Sequence, residues 1–250
     1  MTRRRWIAEQ WDEATATIVG AQAEHMARVL RATPGMEADV VAGGRVFHAE
    51  VAAVAADEIR FNLLAEVQAD PALPVTLVVS VYKFDRMEWA IEKATELGVA
   101  AIAPAIARRT EKHLAQAAGK RVERWRRLAV EAAQQSRRSD VPTIYDPISL
   151  SERVRAESAA TGDSARPIRI VLAEQERTTS LSRALEDIVA QAGPEMPTLE
   201  IAIGPEGGWA PEEEALFDAS GWRAVSLGPR ILRAETAALA ALAVVASFLE

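Results

Sequence analysis

Five residues, Asp70-Pro71-Ala72-Leu73-Pro74, divide this chain into two parts that obey different folding rules. Proline fixes φ and lacks a backbone N–H, so two prolines this close together end any helix or central strand. Before the break the apolar residues alternate. After a short helical stretch over 23–31, Val40-Val41 and Val46-Phe47 flank Gly43-Gly44, a pair suited to a tight hairpin because glycine tolerates positive φ. Val51, Val54, Ile59, Phe61 and Leu63 continue the β pattern, so residues 1–72 are expected to form a small β-rich domain. After the break strands and helices alternate. Residues 75–81 and 99–103 read as strands around a helix capped by Asp85, with Met87, Ala90, Ile91, Ala94 and Leu97 on its apolar face and Gly98 at its end. Val122, Trp125, Leu128 and Ala132 mark the inner face of a second helix, and 168–172, 199–203 and 224–227 read as further strands. Such alternation predicts an α/β domain over 73–250 with a mainly parallel sheet covered by helices. The polar stretch 149–165 carries no clear pattern.

Composition removes several kinds of chemistry. The absence of cysteine excludes disulfides, thiolate zinc sites and cysteine nucleophiles, and His25, His48 and His113 lack metal-ligand spacing, so no metal is expected. The first residues lack a secretory apolar core, and the run 237–249, broken by Ser247, is shorter than the roughly 20 residues needed to span a bilayer. A cytoplasmic chain without a membrane segment is expected. Net charge is −7, yet residues 105–138 hold ten Lys/Arg against three acids. This basic stretch permits contact with phosphates, but it reads equally as a solvated helix face.

In open α/β sheets ligands sit beyond the carboxyl ends of strands. One such end carries Ile203-Gly204-Pro205-Glu206-Gly207-Gly208-Trp209. Its glycines let backbone amides approach a ligand, but they equally suit a tight turn into a helix with Pro211 in its first turn and Glu212 to Glu214 near its positive end. A second end runs Ser226-Leu227-Gly228-Pro229-Arg230-Ile231-Leu232-Arg233-Ala234-Glu235-Thr236 into an alanine-rich helix. Taken alone, Arg233 reads as a surface ion-pair partner and Glu235 as a complement to the helix dipole. The third end, Leu172-Ala173-Glu174, is weak by itself.

Together these segments resemble the RsmE family of SPOUT methyltransferases. Gly204-Pro205-Glu206-Gly207-Gly208, followed by Leu227-Gly228, Ile231-Leu232-Arg233 and Glu235-Thr236, matches the family's C-terminal signature. Lys83, Asp85-Arg86, Glu88 and Ile91-Glu92-Lys93-Ala94-Thr95-Glu96-Leu97-Gly98-Val99 match its central block. Glu131-Ala132, Gln135-Ser136, Arg138 and Val141-Pro142 match the next, and His25, Val29-Leu30-Arg31 and Gly35 the first. Met26 stands where the family usually has leucine and Trp209 where phenylalanine is common, and the match is thinner over 149–198.

The resemblance implies a PUA-like β-barrel that binds RNA at the N-terminus and a SPOUT domain with a C-terminal trefoil knot. It also implies a homodimer and methyl transfer from S-adenosylmethionine, without metal, to N3 of a uridine in 16S ribosomal RNA within the small subunit. Arg233 is then expected to stabilise negative charge on the uracil carbonyls, with Glu235 either a general base or an orienting group. The cofactor falls to Leu172, Glu174, Ile203, Gly204, Pro205, Glu206, Gly207, Gly208, Leu227, Gly228, Ile231, Leu232, Arg233 and Thr236. RNA falls to Arg3, Arg4, His25, Arg31, Lys83, Arg86, Lys93, Arg109, Gln135 and Arg138, although Lys93 is as readily a structural ion-pair partner. A SPOUT enzyme acting on another RNA, a non-catalytic assembly factor and a small-molecule α/β enzyme are the competing readings.

Overall fold

The computed structural model describes residues 5–155, 167–192 and 197–248. The chain falls into two compact units, one comprising Met1–Pro71 and Val130–Val141, the other Ala72–Ala129 and Pro142–Glu250.

The first unit contains β1 (Arg5–Ile7), β2 (Gln10–Trp11), β3 (Thr15–Val19), α1 (Ala21–Arg28), β4 (Glu37–Ala42), β5 (Arg45–Val54) and β6 (Glu58–Val67). Its strands form one curled sheet in the order β1-β4-β5-β6-β3-β2. The sheet is mixed, since β1 runs parallel to β4 while the other neighbours are antiparallel. The β4–β5 hairpin turns at Gly43 and Gly44, with φ of 60° and 78°. Positive φ at both central positions is the geometry that matches the twist of the flanking strands. Gly43 is required a second time, because a Cβ there would stand 2.9 Å from the indole nitrogen of Trp11. Breaks in the β5–β6 register at His48/Ala49 and Val51/Ala53 bend the sheet. The concave side is filled by Trp6, Ile18, Met26, Val40, Val51, Ile59 and Phe61.

The second unit contains β7 (Leu73–Ser80), α2 (Phe84–Glu96), β8 (Val99–Ile106), α3 (Lys112–Ala117), the start of α4 (Val122–Gln135), β9 (Thr143–Ile144), β10 (Ile148–Ser149) and α5 (Leu150–Arg155). It continues through β11 (Ile168–Leu172), α6 (Leu181–Ala192), β12 (Leu199–Ile203), α7 (Pro211–Ala219), β13 (Arg223–Val225) and α8 (Ala234–Ala246). The strand order is β10-β8-β7-β12-β11-β13, with β9 beside β8, and every pairing is parallel. A parallel sheet is covered on both faces, which explains the near-continuous apolar runs of β7 and β12. On one face Phe217 lies between Trp209 and Trp222, its ring centroid 4.8 and 5.1 Å from theirs with planes inclined by 67°. Such edge-to-face pairs add about 0.5–1.5 kcal/mol each to ordinary burial. α8 packs against α2, α6 and β7 through Ala238, Ala241, Leu242 and Val245.

Three local expectations are corrected. Lys83, not Asp85, is the N-cap residue of α2, and Asp85 sits inside the first turn without a capping bond. The helix starts earlier because Met87 N–H already reaches the Lys83 carbonyl at 3.0 Å. Leu97 leaves the apolar face and is exposed, because the chain turns at Gly98 with φ of 91°. The strand expected over 224–227 is Arg223–Val225, with Ser226 continuing as a single bridge to Ser180.

Candidate active site

The sheet order places the carboxyl ends of β11, β12 and β13 side by side, and the segments leaving them enclose a cleft of about 410 Å³. Residues 203–209 form one wall and 225–234 face them. Residues 172–175 and Arg177 lie between, and Arg86 and Arg109 also reach the cleft.

The first wall is a braced turn. Gly208 N–H donates to the Pro205 carbonyl at 2.8 Å, and Gly208 takes φ of 69°. The Trp209 indole N–H donates to the Leu172 carbonyl at 2.9 Å, tying the ends of β11 and β12 together. Gly204 lets the indole pack close, since a Cβ there would lie 3.3 Å from it and push the ring by a few tenths of an ångström. At Gly207 a Cβ would meet the Arg109 side chain at 3.3 Å, while Arg109 Nη1 donates to the Gly207 carbonyl at 2.5 Å. The two sequence readings of this segment are thus compatible, since it is a tight turn that also lines a cleft.

Glu213 fixes this wall from behind. Its buried carboxylate accepts the backbone N–H of Arg108 at 2.7 Å through Oε1 and that of Ala210 at 2.9 Å through Oε2. Pro211 opens α7 at its first position, where its missing N–H costs nothing. The sequence treated Glu212 to Glu214 as equivalent dipole partners, and only burial separates Glu213 from its neighbours.

Beside the cleft, Arg86 in the first turn of α2 pairs with Glu206, and its Nε stands 3.9 Å from Glu235 Oε1. Glu235 is 8% exposed, and its Oε2 is buried without a hydrogen-bond partner among the described residues. The Tyr82 hydroxyl is in the same state, with its phenol pKa pushed up by burial and further by the Glu235 and Glu206 carboxylates.

The opposite wall has a different character. Arg233 is the N-cap residue of α8 in extended backbone conformation, exposed and lining the cleft. Leu227, Gly228, Ile231 and Leu232 line it too, as do Leu172, Glu174, Ile203 and each residue of Gly204 to Gly208. Glu235 and Thr236 are not among the lining residues.

The residues expected to bind RNA are less unified. Arg3 and Arg4 lie outside the described residues. His25, half-buried on α1 beside Trp6, belongs to the first unit, as do exposed Arg31, exposed Gln135 and buried Arg138, which pairs with Asp140. In the second unit Lys83 is exposed, whereas Lys93 lies between Glu92 and Glu96 at 2.8 and 2.7 Å, and those bonds raise its pKa. Of the described residues in this set, Arg86 and Arg109 alone line the cleft. Sequence reasoning passed over Tyr82, Glu213, Arg177 and Arg230. Arg177 falls in the weakly matched stretch, and Arg230 was quoted in its motif without a role.

Residues 69–246 match the family described as an RNA methyltransferase domain. The ribosomal RNA small subunit methyltransferase E of Synechocystis is 34% identical over 97% of this chain and 76% of its own length. The Mycobacterium tuberculosis protein of the same name is 36% identical, over 93% of this chain and 86% of its own. The crystal structure of ribosomal RNA small subunit methyltransferase E from Neisseria gonorrhoeae bound to S-adenosyl methionine superposes with a TM-score of 0.81, at 29% identity, over 98% of both chains. With the similarity running through both units and the cleft built from the motif residues, the chain belongs to the ribosomal RNA small subunit methyltransferase E family of RNA methyltransferases.

Proposed function

We propose that the cleft binds S-adenosylmethionine and that the chain methylates N3 of a uridine in 16S ribosomal RNA. The observation that carries this reading is the meeting of the 204–208 turn and the Arg233 segment around one cleft. Its volume of about 410 Å³ suits a cofactor of this size, since ligand sites run to roughly 300–1,000 Å³. The residues fit the cofactor's chemistry as well, with backbone groups of Leu172, Ile203 to Gly208 and Leu227-Gly228 available to the adenosyl part and Ile231 and Leu232 giving apolar surface.

When bound, the cofactor supplies an electrophilic methyl group on a sulfonium. This chain must then hold uracil N3 in line with that methyl group and ease departure of the N3 proton. Arg233, exposed in the cleft, is the group placed to stabilise negative charge that develops on the flanking carbonyl oxygens. Glu235 is assigned a positioning role. Its Oε2 is sealed and its Oε1 faces Arg86, so its charge steadies the Arg86–Glu206 pair behind the turn. Since N3 lies on the pairing edge, the target base must be unpaired or extruded.

The same reading assigns residues 1–72 to a PUA-like RNA-binding barrel and 73–250 to a SPOUT domain with a trefoil knot in its C-terminal part. It further gives a homodimer acting in the cytoplasm on the small ribosomal subunit. The curled sheet and the parallel sheet support the division into two such domains, and among the described residues no helix is long and apolar enough to cross a membrane. The test is incubation of the full chain with methyl-labelled cofactor and small subunits or 16S RNA, followed by nucleoside analysis. Label in N3-methyluridine is expected, and label elsewhere or none overturns the reading.

A further inference from the structure

Among the described residues five arginines line the cleft, and they divide by what their charge already serves. Arg86 pairs with Glu206, and Arg109 is bonded to the Gly207 carbonyl. Arg177, Arg230 and Arg233 are exposed, and among the described residues none has a side-chain hydrogen bond or ion pair. Two of these three have no role in the reaction described above.

Arg177 and Arg230 stand on neighbouring, braced segments. Ser226 N–H donates to the Thr179 carbonyl at 2.9 Å, Leu181 N–H to the Ser226 carbonyl at 2.9 Å, and Ala173 N–H to the Val225 carbonyl at 3.0 Å. The Ser226 hydroxyl accepts Gly228 N–H at 3.0 Å. Of the acids nearest Arg177 in sequence, Glu174 lines the cleft without an ion pair to it among the described residues, and Glu176 is committed to its own turn. Glu176 Oε1 accepts Thr178 N–H at 2.6 Å, the Thr178 hydroxyl at 2.5 Å and Thr179 N–H at 2.9 Å. Glu214 accepts a 3.4 Å bond from Gln175. The result is an edge of fixed backbone carrying guanidinium groups without internal partners.

We propose that Arg177 and Arg230 grip the RNA phosphates flanking the target nucleotide, leaving Arg233 to the base. The planar guanidinium fork matches phosphate oxygens in pairs, and an exposed arginine loses little protein-internal bonding by engaging them. A phosphodiester chain presents several anions in a row, matching cations spread over two adjacent segments. The cofactor's single carboxylate is the other anion within reach of such an edge, and it is the source the experiment has to separate. The proposal rests on the methyl-transfer reading above.

The test uses the full chain with Arg177→Gln, Arg230→Gln, the double variant and the two Arg→Lys variants. Binding of a 16S fragment is measured across salt concentrations, and cofactor binding by calorimetry. Each Gln variant is expected to lower the slope of log K against log salt by about 0.7–0.9, with the double variant lowering it twice as far. The Lys variants should keep the wild-type slope, and cofactor affinity should stay within about twofold throughout, since a phosphate contact makes no demand on it. Unchanged slopes overturn the proposal, as does a loss of cofactor affinity, which would move these arginines to the carboxylate. A wild-type chain that transfers no methyl group overturns the functional reading together with this one. A wild-type chain that methylates normally while the variants keep its slope overturns this one alone.

Discussion

The two walls of the cleft are built from the same residue types and use them in opposite ways. Along 204–210, arginine and glutamate are spent inside the protein: Arg109 holds the Gly207 carbonyl, Arg86 holds Glu206, and Glu213 gathers two backbone amides. Along 226–233 and at Arg177, the backbone is braced by its own amides and a serine, while the guanidinium groups face outward. Charge that is bonded internally fixes a shape. Charge left exposed is available to something that arrives.

If that contrast is correct, damage beneath the first wall registers as lost stability. Phe217 is 2% exposed and supports Trp209, whose indole joins Gly204 to Leu172. Phe217→Ala should cost about 3–5 kcal/mol in denaturant unfolding, the range for emptying a large aromatic site. A loss under about 1 kcal/mol would mean that the stack does not hold the wall.

Damage to the second wall registers in rate instead. Arg233→Ala should lower single-turnover methyl transfer about a hundredfold, the scale of losing one charge-stabilising donor. Its melting temperature should stay near wild type, because the side chain is exposed and has no acceptor among the described residues. Normal turnover removes Arg233 from the chemistry, and unfolding would place it on the wrong side of the comparison.

How much of this was legible depends on the range of the interaction concerned. The Gly43-Gly44 hairpin, the helix after Lys83 and the strands at 168–172 and 199–203 follow from short-range pattern, where periodicity and turn residues carry the signal. The segments expected to hold the cofactor drew attention because each follows a strand end and together they resemble a family signature, and the strand order brings them around one cleft. What failed was of two kinds. End effects of one or two residues moved the cap from Asp85 to Lys83 and took Leu97 off its face. Partnerships across the fold, such as Arg86 with Glu206 or the Arg108 amide with Glu213, join residues more than a hundred positions apart and leave no local pattern. Arginine looks the same in sequence whether it is bonded inward or left exposed, which is why the pairing of Arg86 with Glu206 was not foreseen and Arg177 was passed over.

Glu213 sharpens the comparison at a smaller scale. Its two oxygens serve two different donors, so Glu213→Ala leaves the buried Ala210 amide without its acceptor and frees the part-buried Arg108 amide, and should cost about 1–3 kcal/mol. Because the Arg108 and Ala210 backbones frame the first wall, cofactor KM should rise while kcat at saturation changes little. Glu213→Gln should recover only part of either effect, since an amide offers one acceptor and turns a donor toward the other N–H. Full recovery by Gln would show that one of the two bonds is dispensable.

The smallest effect belongs to the second wall and reads out its backbone. Glu176 is partly exposed, and the Thr178 hydroxyl and amide together with the Thr179 amide hold its carboxyl down at about 2 from an ordinary 4.5. A carboxyl with a depressed folded pKa contributes stability that is complete above its unfolded pKa and disappears as pH falls through the folded one. The 176–179 turn should therefore keep its full contribution above about pH 4.5, weaken below that, and lose it near pH 2. Amide exchange at Thr178 and Thr179 provides the measurement, with protection in the wild type declining across that window. In Glu176→Gln it should already be reduced at pH 7 and be insensitive to acid. Equal protection in the variant would mean that the strand-end bonds to Ser226 alone hold the segment that presents Arg177.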